Sequence, residues 1–90
     1  MNFVWDEAKR LSNLAKHGFD FAEVEANFDW ASVALTPAKL KRFKAVGLLK
    51  AEIVVLVFAS LGSEALSLVS LRRASQRERN AYDGQTHEKL

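Results

Sequence analysis

Lys9, Lys16 and His17 stand near one end of this chain, and Arg72, Arg73, Arg77, Glu78, Arg79 and Tyr82 near the other. Together they supply cations, an imidazole, a carboxylate and a phenol. Those are the groups that cleave a phosphodiester without a metal. In RNA the 2′-hydroxyl can attack the adjacent phosphate if a base takes its proton, an acid protonates the departing 5′ oxygen, and cations stabilise the charge building on phosphorus. His17, Glu78 and Tyr82 are the proton handlers on offer. The arginines suit phosphate because a planar guanidinium donates two hydrogen bonds at once.

Each candidate also has a structural role to weigh. His17 carries an imidazole, the side-chain type suited to acid or base roles near neutral pH, and it is also well placed at a helix C-terminus, where a cation meets the negative end of the dipole. Glu78 can act as a base. It also lies three residues after Ser75, where it completes a capping box, and a carboxylate held that way has a low pKa. Arg72 and Arg73 are consecutive at a strand end, so they point to opposite faces of a sheet. Arg79 and Tyr82 are three apart on a helix and share a side of it. Trp5 and Trp30 read as packing residues.

The elements that must position these groups follow from local pattern. Asn2 to Trp5 alternates and predicts a short strand. Asp6 caps a helix with an apolar face of Leu11, Leu14 and Ala15, and Gly18 ends it in the left-handed position. A second helix starts at once, with Asp20 as N-cap, Glu23 closing a capping box, and Phe21, Val24 and Phe28 as its buried stripe. Beyond Trp30 the pattern predicts strands over Ala31 to Thr36 (closed by Pro37), Arg42 to Leu49, Glu52 to Ser60 and Glu64 to Arg73. The apolar, β-branched run in Glu52 to Ser60 marks a central strand covered on both faces. Ser75 to Glu78 opens a last helix that stops near Gly84, and residues 85–90 read as a frayed, disordered tail. The fold class is α+β: two N-terminal helices and a short C-terminal helix packed on a small antiparallel sheet.

Bulk composition narrows the functions. Ninety residues make one domain with a modest core. With no cysteine and two distant histidines, the chain offers no disulfide framework, and no structural metal or cofactor is expected. The longest apolar run, Ile53 to Ala59, is too short for a bilayer, and no signal peptide is evident, so the expected location is cytoplasmic. Net charge is only +2 but unevenly placed. Lys39 to Lys50 contains no acid and includes Lys41, Arg42 and Lys44, and Arg72 to Arg79 is arginine-rich. A basic stripe on a near-neutral domain suits a polyanion, so Lys9, Lys16, Lys41, Arg42, Lys44 and Arg77 are the candidate nucleic-acid contacts.

The two end stretches resemble the BrnT family of bacterial toxins. The family pattern opens with a strand ending Trp-Asp and a helix ending Asn-Leu-x-Lys-His-Gly. It continues with a hydrophobic-x-Phe step. Here these are Trp5-Asp6, Asn13 to Gly18 and Phe19-Asp20-Phe21. The later pattern is a strand ending Ser-x-Arg-Lys-Ala-Thr and a Glu-Arg-x-x-Tyr helix, here Ser70 to Ser75 and Glu78 to Tyr82. The resemblance spans nearly the whole chain and implies a single BrnT-like domain over residues 1–84. Family members carry a longer, acid- and histidine-containing loop before the middle strand, where this chain has the short basic segment Thr36 to Phe43.

What the resemblance implies is a RelE-like fold and a ribonuclease toxin of a type II toxin–antitoxin system, which cleaves RNA without a metal and inhibits translation. Its partners would be the RNA substrate, a ribbon-helix-helix antitoxin (BrnA-like), and operator DNA reached only through that antitoxin, with no membrane. The catalytic set is then His17, Arg72, Arg73, Glu78, Arg79 and Tyr82. The alternative is a catalytically weakened toxin-like module that binds an antitoxin and acts in a DNA-binding repressor complex.

Overall fold

The computed structural model describes residues 1–88, with side chains through Gly84. It is an α+β domain built on one five-stranded sheet. In chain order the elements are β1 (Asn2–Val4), α1 (Glu7–His17), α2 (Val24–Asn27), β2 (Ala34–Ala38), β3 (Arg42–Leu49), β4 (Glu52–Leu61), β5 (Ala65–Arg73) and α3 (Gln76–Glu88). Single 3₁₀ turns precede α2 (Phe21–Glu23) and β2 (Trp30–Ser32).

The strand order is β1-β5-β4-β3-β2, which puts the apolar strand β4 at the centre, as its composition requires. Strands β2 to β5 are antiparallel neighbours. The expected all-antiparallel sheet is corrected at one edge, because β1 runs parallel to β5, pairing Phe3 with Leu66. With α1 as the crossover between β1 and the rest, the sheet is mixed. No local pattern in a three-residue strand encodes its direction.

Alternation along the strands sorts the two faces. Val54, Leu56 and Phe58 of β4 and Leu68 and Leu71 of β5 turn to one side, where Phe21, Val24 and Phe28 complete the core. Phe28 and Phe58 meet the Trp30 ring edge-on at 4.8 and 5.8 Å, contacts worth about 0.5–1.5 kcal/mol each beyond simple burial. Trp5 packs edge-on to Phe21 at 6.4 Å. Both tryptophans therefore belong to the packing, as their type implies. Gly47 of β3 is a glycine because the Phe28 ring lies where a side chain would start, 3.0 Å from an ideal Cβ.

Helix α1 departs from its expected packing. Asp6 caps it by accepting from the Ala8 amide at 2.9 Å, and Gly18 ends it at φ 79°, both as predicted. Its apolar residues do not face the core, however: Leu11 is 53% exposed and Leu14 36%. The residue that α1 buries is Asn13. Its Nδ2 donates to the Leu71 carbonyl at 2.8 Å and to the Phe19 carbonyl at 3.1 Å, and its Oδ1 accepts from the Leu71 amide at 3.1 Å. Strand β1 covers only residues 65–67 of β5. Beyond them the side chain of Asn13 takes the part of a neighbouring strand's peptide group. Helix α1 is thus laid along the sheet edge by a polar clamp, which the hydrophobic pattern could not show.

Three other expectations shift. The second helix is a single turn entered through a 3₁₀ turn. Asp20 caps the Ala22 amide at 2.9 Å, but Glu23 does not close the box, because it pairs with Lys50 at 2.7 Å instead. The strand expected over Ala31 to Thr36 starts later, since Asp29 caps the Trp30–Ser32 turn by accepting from the Ala31 amide. It also runs through Pro37, which an edge strand tolerates. The last helix continues past Gly84, which does not adopt the left-handed conformation of a helix stop. Of the residues read as a tail, 85–88 have helical backbone, and Lys89 and Leu90 lie outside the described residues.

Candidate nucleic-acid site

Strand β5 and helix α3 meet at Ala74-Ser75, and the capping box forms as the sequence predicts. The Glu78 amide donates to the Ser75 hydroxyl at 3.2 Å, and the Ser75 amide donates back to Glu78 Oε1 at 2.8 Å. The same carboxylate receives both terminal nitrogens of Arg72, Nη1 at 2.8 Å and Nη2 at 2.9 Å. Lys44 Nζ, from β3, closes the cluster 3.2 Å from Glu78 Oε2. Glu78 is therefore held well below the usual carboxylate range, chiefly by Arg72 and then by the Ser75 amide and Lys44 against a desolvation penalty. The carboxylate in turn raises Arg72.

The geometry leaves Arg72 half engaged. Its end-on pairing uses Nη1 and Nη2, and Nη1 also donates to the Arg73 carbonyl at 3.3 Å. Among the described residues nothing accepts from the Nε–H or the second Nη2 hydrogen. Those two donors form one side of the guanidinium fork, the geometry that grips a phosphate. The Arg72 side chain is 33% exposed, so an anion can reach it.

Register shows what surrounds the cluster. Lys44 pairs with Val57, which pairs with Ser70, and Arg72 pairs with Val55. Arg42, Lys44, Val57, Ser70 and Arg72 therefore share the sheet face opposite the core. Helix α3 covers only part of that face. Beneath it, between α3 and the β2–β3 edge, lies a cavity of about 240 Å³ lined by Lys44, Glu78 and Tyr82 among others. A second, shallower depression of about 220 Å³ lies where α1 meets β5, and Lys9, Lys16 and His17 line it together with Ser70. Ser70 thus joins the α1 cations to the Arg72 face.

Not all the sequence candidates converge. Arg73 points the other way, as consecutive strand residues must, and pairs with Glu52 at 3.2 Å while 62% exposed. Arg77 and Arg79 lie on the exposed side of α3. Tyr82 turns inward and is buried, so it does not share a surface with Arg79. The Ser32 hydroxyl donates to Asp29 Oδ2 at 2.9 Å, so at 2.9 Å from Tyr82 its oxygen accepts the phenol proton. Lys41 sits exposed in the β2–β3 turn, where Leu40 and Lys41 both carry positive φ. Sequence reading did not foresee Thr36 and Ser70 at the two depressions, or Ser32 and Asp29 behind Tyr82. Their partners are distant in the chain, and only the register brings them together.

A small α+β domain thus carries a guanidinium–carboxylate–ammonium cluster on a half-open sheet face, chemistry that suits a polyanion, and comparison with known proteins makes the class specific. A family model described as the ribonuclease toxin, BrnT, of type II toxin–antitoxin systems matches residues 5–78. The crystal structure of the Brucella abortus ribonuclease toxin BrnT is 43% identical, covering 84% of this chain and 99% of that one, with a TM-score of 0.74. No curated protein matches the chain. The chain belongs to the BrnT family of ribonuclease toxins of type II toxin–antitoxin systems. An RNA target and an antitoxin partner follow from that membership. The matched segment ends at Glu78, so the Arg72–Glu78 pair lies within it and Arg79 and Tyr82 lie beyond it. Among the described residues no helix is long and apolar enough to cross a membrane.

Proposed function

We propose that the sheet face carrying Arg72, Lys44 and Glu78 is the RNA-cleaving site. The observation that carries this reading is the half-engaged guanidinium of Arg72, pinned by Glu78 with its other two donors directed away from the pair. Preorganised donors of this kind stabilise a phosphorane-like transition state without reorganising as charge develops. The 2′-oxygen attacks phosphorus as its proton passes to His17, the P–O5′ bond breaks as the 5′ oxygen takes a proton from solvent, and a 2′,3′-cyclic phosphate and a 5′-hydroxyl end result. Arg72 and Lys44 neutralise the non-bridging oxygens, so the reaction runs without a divalent ion.

Glu78 positions Arg72; its own depressed pKa makes it a poor base at neutral pH. His17, at the α1 depression with Lys9 and Lys16, is the proton handler. Tyr82 holds α3 against the Trp30–Ser32 turn through Ser32. Arg42, and more peripherally Lys41, Arg77 and Arg79, steer the polyanion. A ribbon-helix-helix antitoxin neutralises the toxin in the cytoplasm, and operator DNA is reached through that partner. The fold is of RelE type in this reading. Arg73 stands outside the reaction, on the strength of its pairing with Glu52.

The test is to incubate the purified chain with single-stranded RNA in excess chelator and to analyse the product ends. Cyclic phosphate and 5′-hydroxyl ends support the mechanism. Cleavage that needs added divalent ion, or that leaves 5′-phosphate ends, contradicts it. Tight binding with no cleavage by a folded sample favours the repressor module instead.

A further inference from the structure

The cavity beneath α3 has a composition that the cleavage chemistry does not require. Ala34 and Val46 from β2 and β3, with Ala81 and the ring of Tyr82 from α3, give it apolar walls. Thr36 is its neutral polar side chain. Lys44 and Glu78 also line it, and these are the residues that hold Arg72 in place. At about 240 Å³ it falls just below the roughly 300–1,000 Å³ that drug-sized ligands occupy, so it suits one ring system rather than a peptide segment.

Resting on the reading of Arg72 as the phosphate anchor, we propose that this cavity receives the nucleobase attached to the bound phosphate and so sets where RNA is cut. The argument is continuity. Lys44 and Glu78 line the cavity and Glu78 holds Arg72, so a phosphate on the outer donors of Arg72 lies one guanidinium away from the cavity wall. A group covalently joined to that phosphate, flat and apolar on its faces and polar at its edge, matches the walls. The alanine and valine side chains and the tyrosine ring bury the faces of a base, which is the sequence-tolerant part of the binding. Thr36, able to donate or accept, and Lys44, a donor only, meet its edge. They favour a base that presents a carbonyl oxygen there.

Narrowing the cavity and removing its hydroxyl separate this idea from the phosphate site. Ala34→Leu, on an edge strand, fills the space. Thr36→Val keeps the shape and deletes the hydroxyl, and serves if the first variant fails to fold. Neither residue belongs to the Arg72 cluster. Amide and arginine side-chain spectra are titrated with inorganic phosphate and with each of the four nucleoside 3′-monophosphates. The expected result is that phosphate shifts Arg72 and Lys44 but not Ala34, Val46 or Ala81. At least one nucleotide also shifts Ala34, Val46 and Ala81, and binds about tenfold tighter, the factor a buried base commonly contributes. Ala34→Leu or Thr36→Val should reduce that preference and leave phosphate binding unchanged. Nucleotides that all bind like phosphate, or a preference indifferent to both variants, would overturn the base pocket alone. Cavity shifts without Arg72 shifts would overturn the phosphate anchor and keep the pocket. No shift at either place overturns both.

Discussion

Glu78 shows how one side chain's surroundings decide its role. The Ser75 and Glu78 spacing predicts a cap, and the fold adds Arg72 and Lys44 to the same carboxylate. Each of these partners favours the ionised form. The folded-state pKa is lowered below the unfolded value of roughly 4.3, so the contribution to stability is fully present above that value and is lost as pH falls toward the folded pKa. Glu78→Gln should lower stability by about 2 kcal/mol at neutral pH, the scale of charge-assisted hydrogen bonds. Melting curves of both proteins should show a constant gap from pH 7 down to about 5 and a shrinking gap below roughly 4. A gap that widened on acidification would mean the carboxylate is not held as described.

At the scale of elements, the clamp at Asn13 does what an apolar stripe would otherwise do for α1. Replacing it with alanine leaves the buried Leu71 amide and carbonyl without these partners, at a cost of about 1–3 kcal/mol for each unsatisfied group. Asn13→Ala should therefore be strongly destabilised, with hydrogen exchange at Leu71 accelerated. Leu11→Ala, at an exposed position, should change stability by less than about 0.5 kcal/mol. Equal effects from the two substitutions would contradict this account of how the helix is held.

The same comparison shows what the sequence could and could not reveal. Features fixed by neighbours a few residues apart were legible: the Asp6 and Gly18 ends of α1, the Ser75–Glu78 box, the extent of β3 and the central place of β4. The Arg72–Glu78 pair spans six residues and was within reach. Lys44 joins it only through the pairing of β3 with β4 and β4 with β5. That pairing slips by one residue at an irregularity between Val57 and Phe58, so no count of alternation along the chain would find it. The parallel β1 and the polar docking of α1 were hidden for the same reason. The strand ends at Leu49 and Glu52 placed the tight Lys50-Ala51 turn, but not its conformation, since both residues adopt positive φ without a glycine or asparagine to signal it.

For the molecule as a whole, charge is arranged rather than abundant. A net charge of +2 attracts RNA weakly, but Arg42, Lys44 and Arg72 line one sheet face with Lys9, Lys16 and His17 at its margin. RNA affinity should fall linearly on a log–log plot with salt, with a slope of about −0.7 for each phosphate neutralised. Lys9→Ala with Lys16→Ala should flatten that slope by about 1.4, 0.7 for each lysine, without abolishing cleavage, measured as binding across a salt series. An unchanged slope would place the RNA elsewhere.

The most direct test compares Arg72→Ala with Arg73→Ala for RNA cleavage, each shown to be folded by its thermal melt. The two arginines are adjacent in the chain, equal in charge and opposite in direction, so only the site's location distinguishes them. Cleavage should fall by about a hundredfold or more for Arg72→Ala, the usual loss when one preorganised donor is removed, and by only a few-fold for Arg73→Ala. A folded Arg72→Ala that cleaves normally, or a larger loss from Arg73→Ala, would contradict the assignment of the site to this face of the sheet.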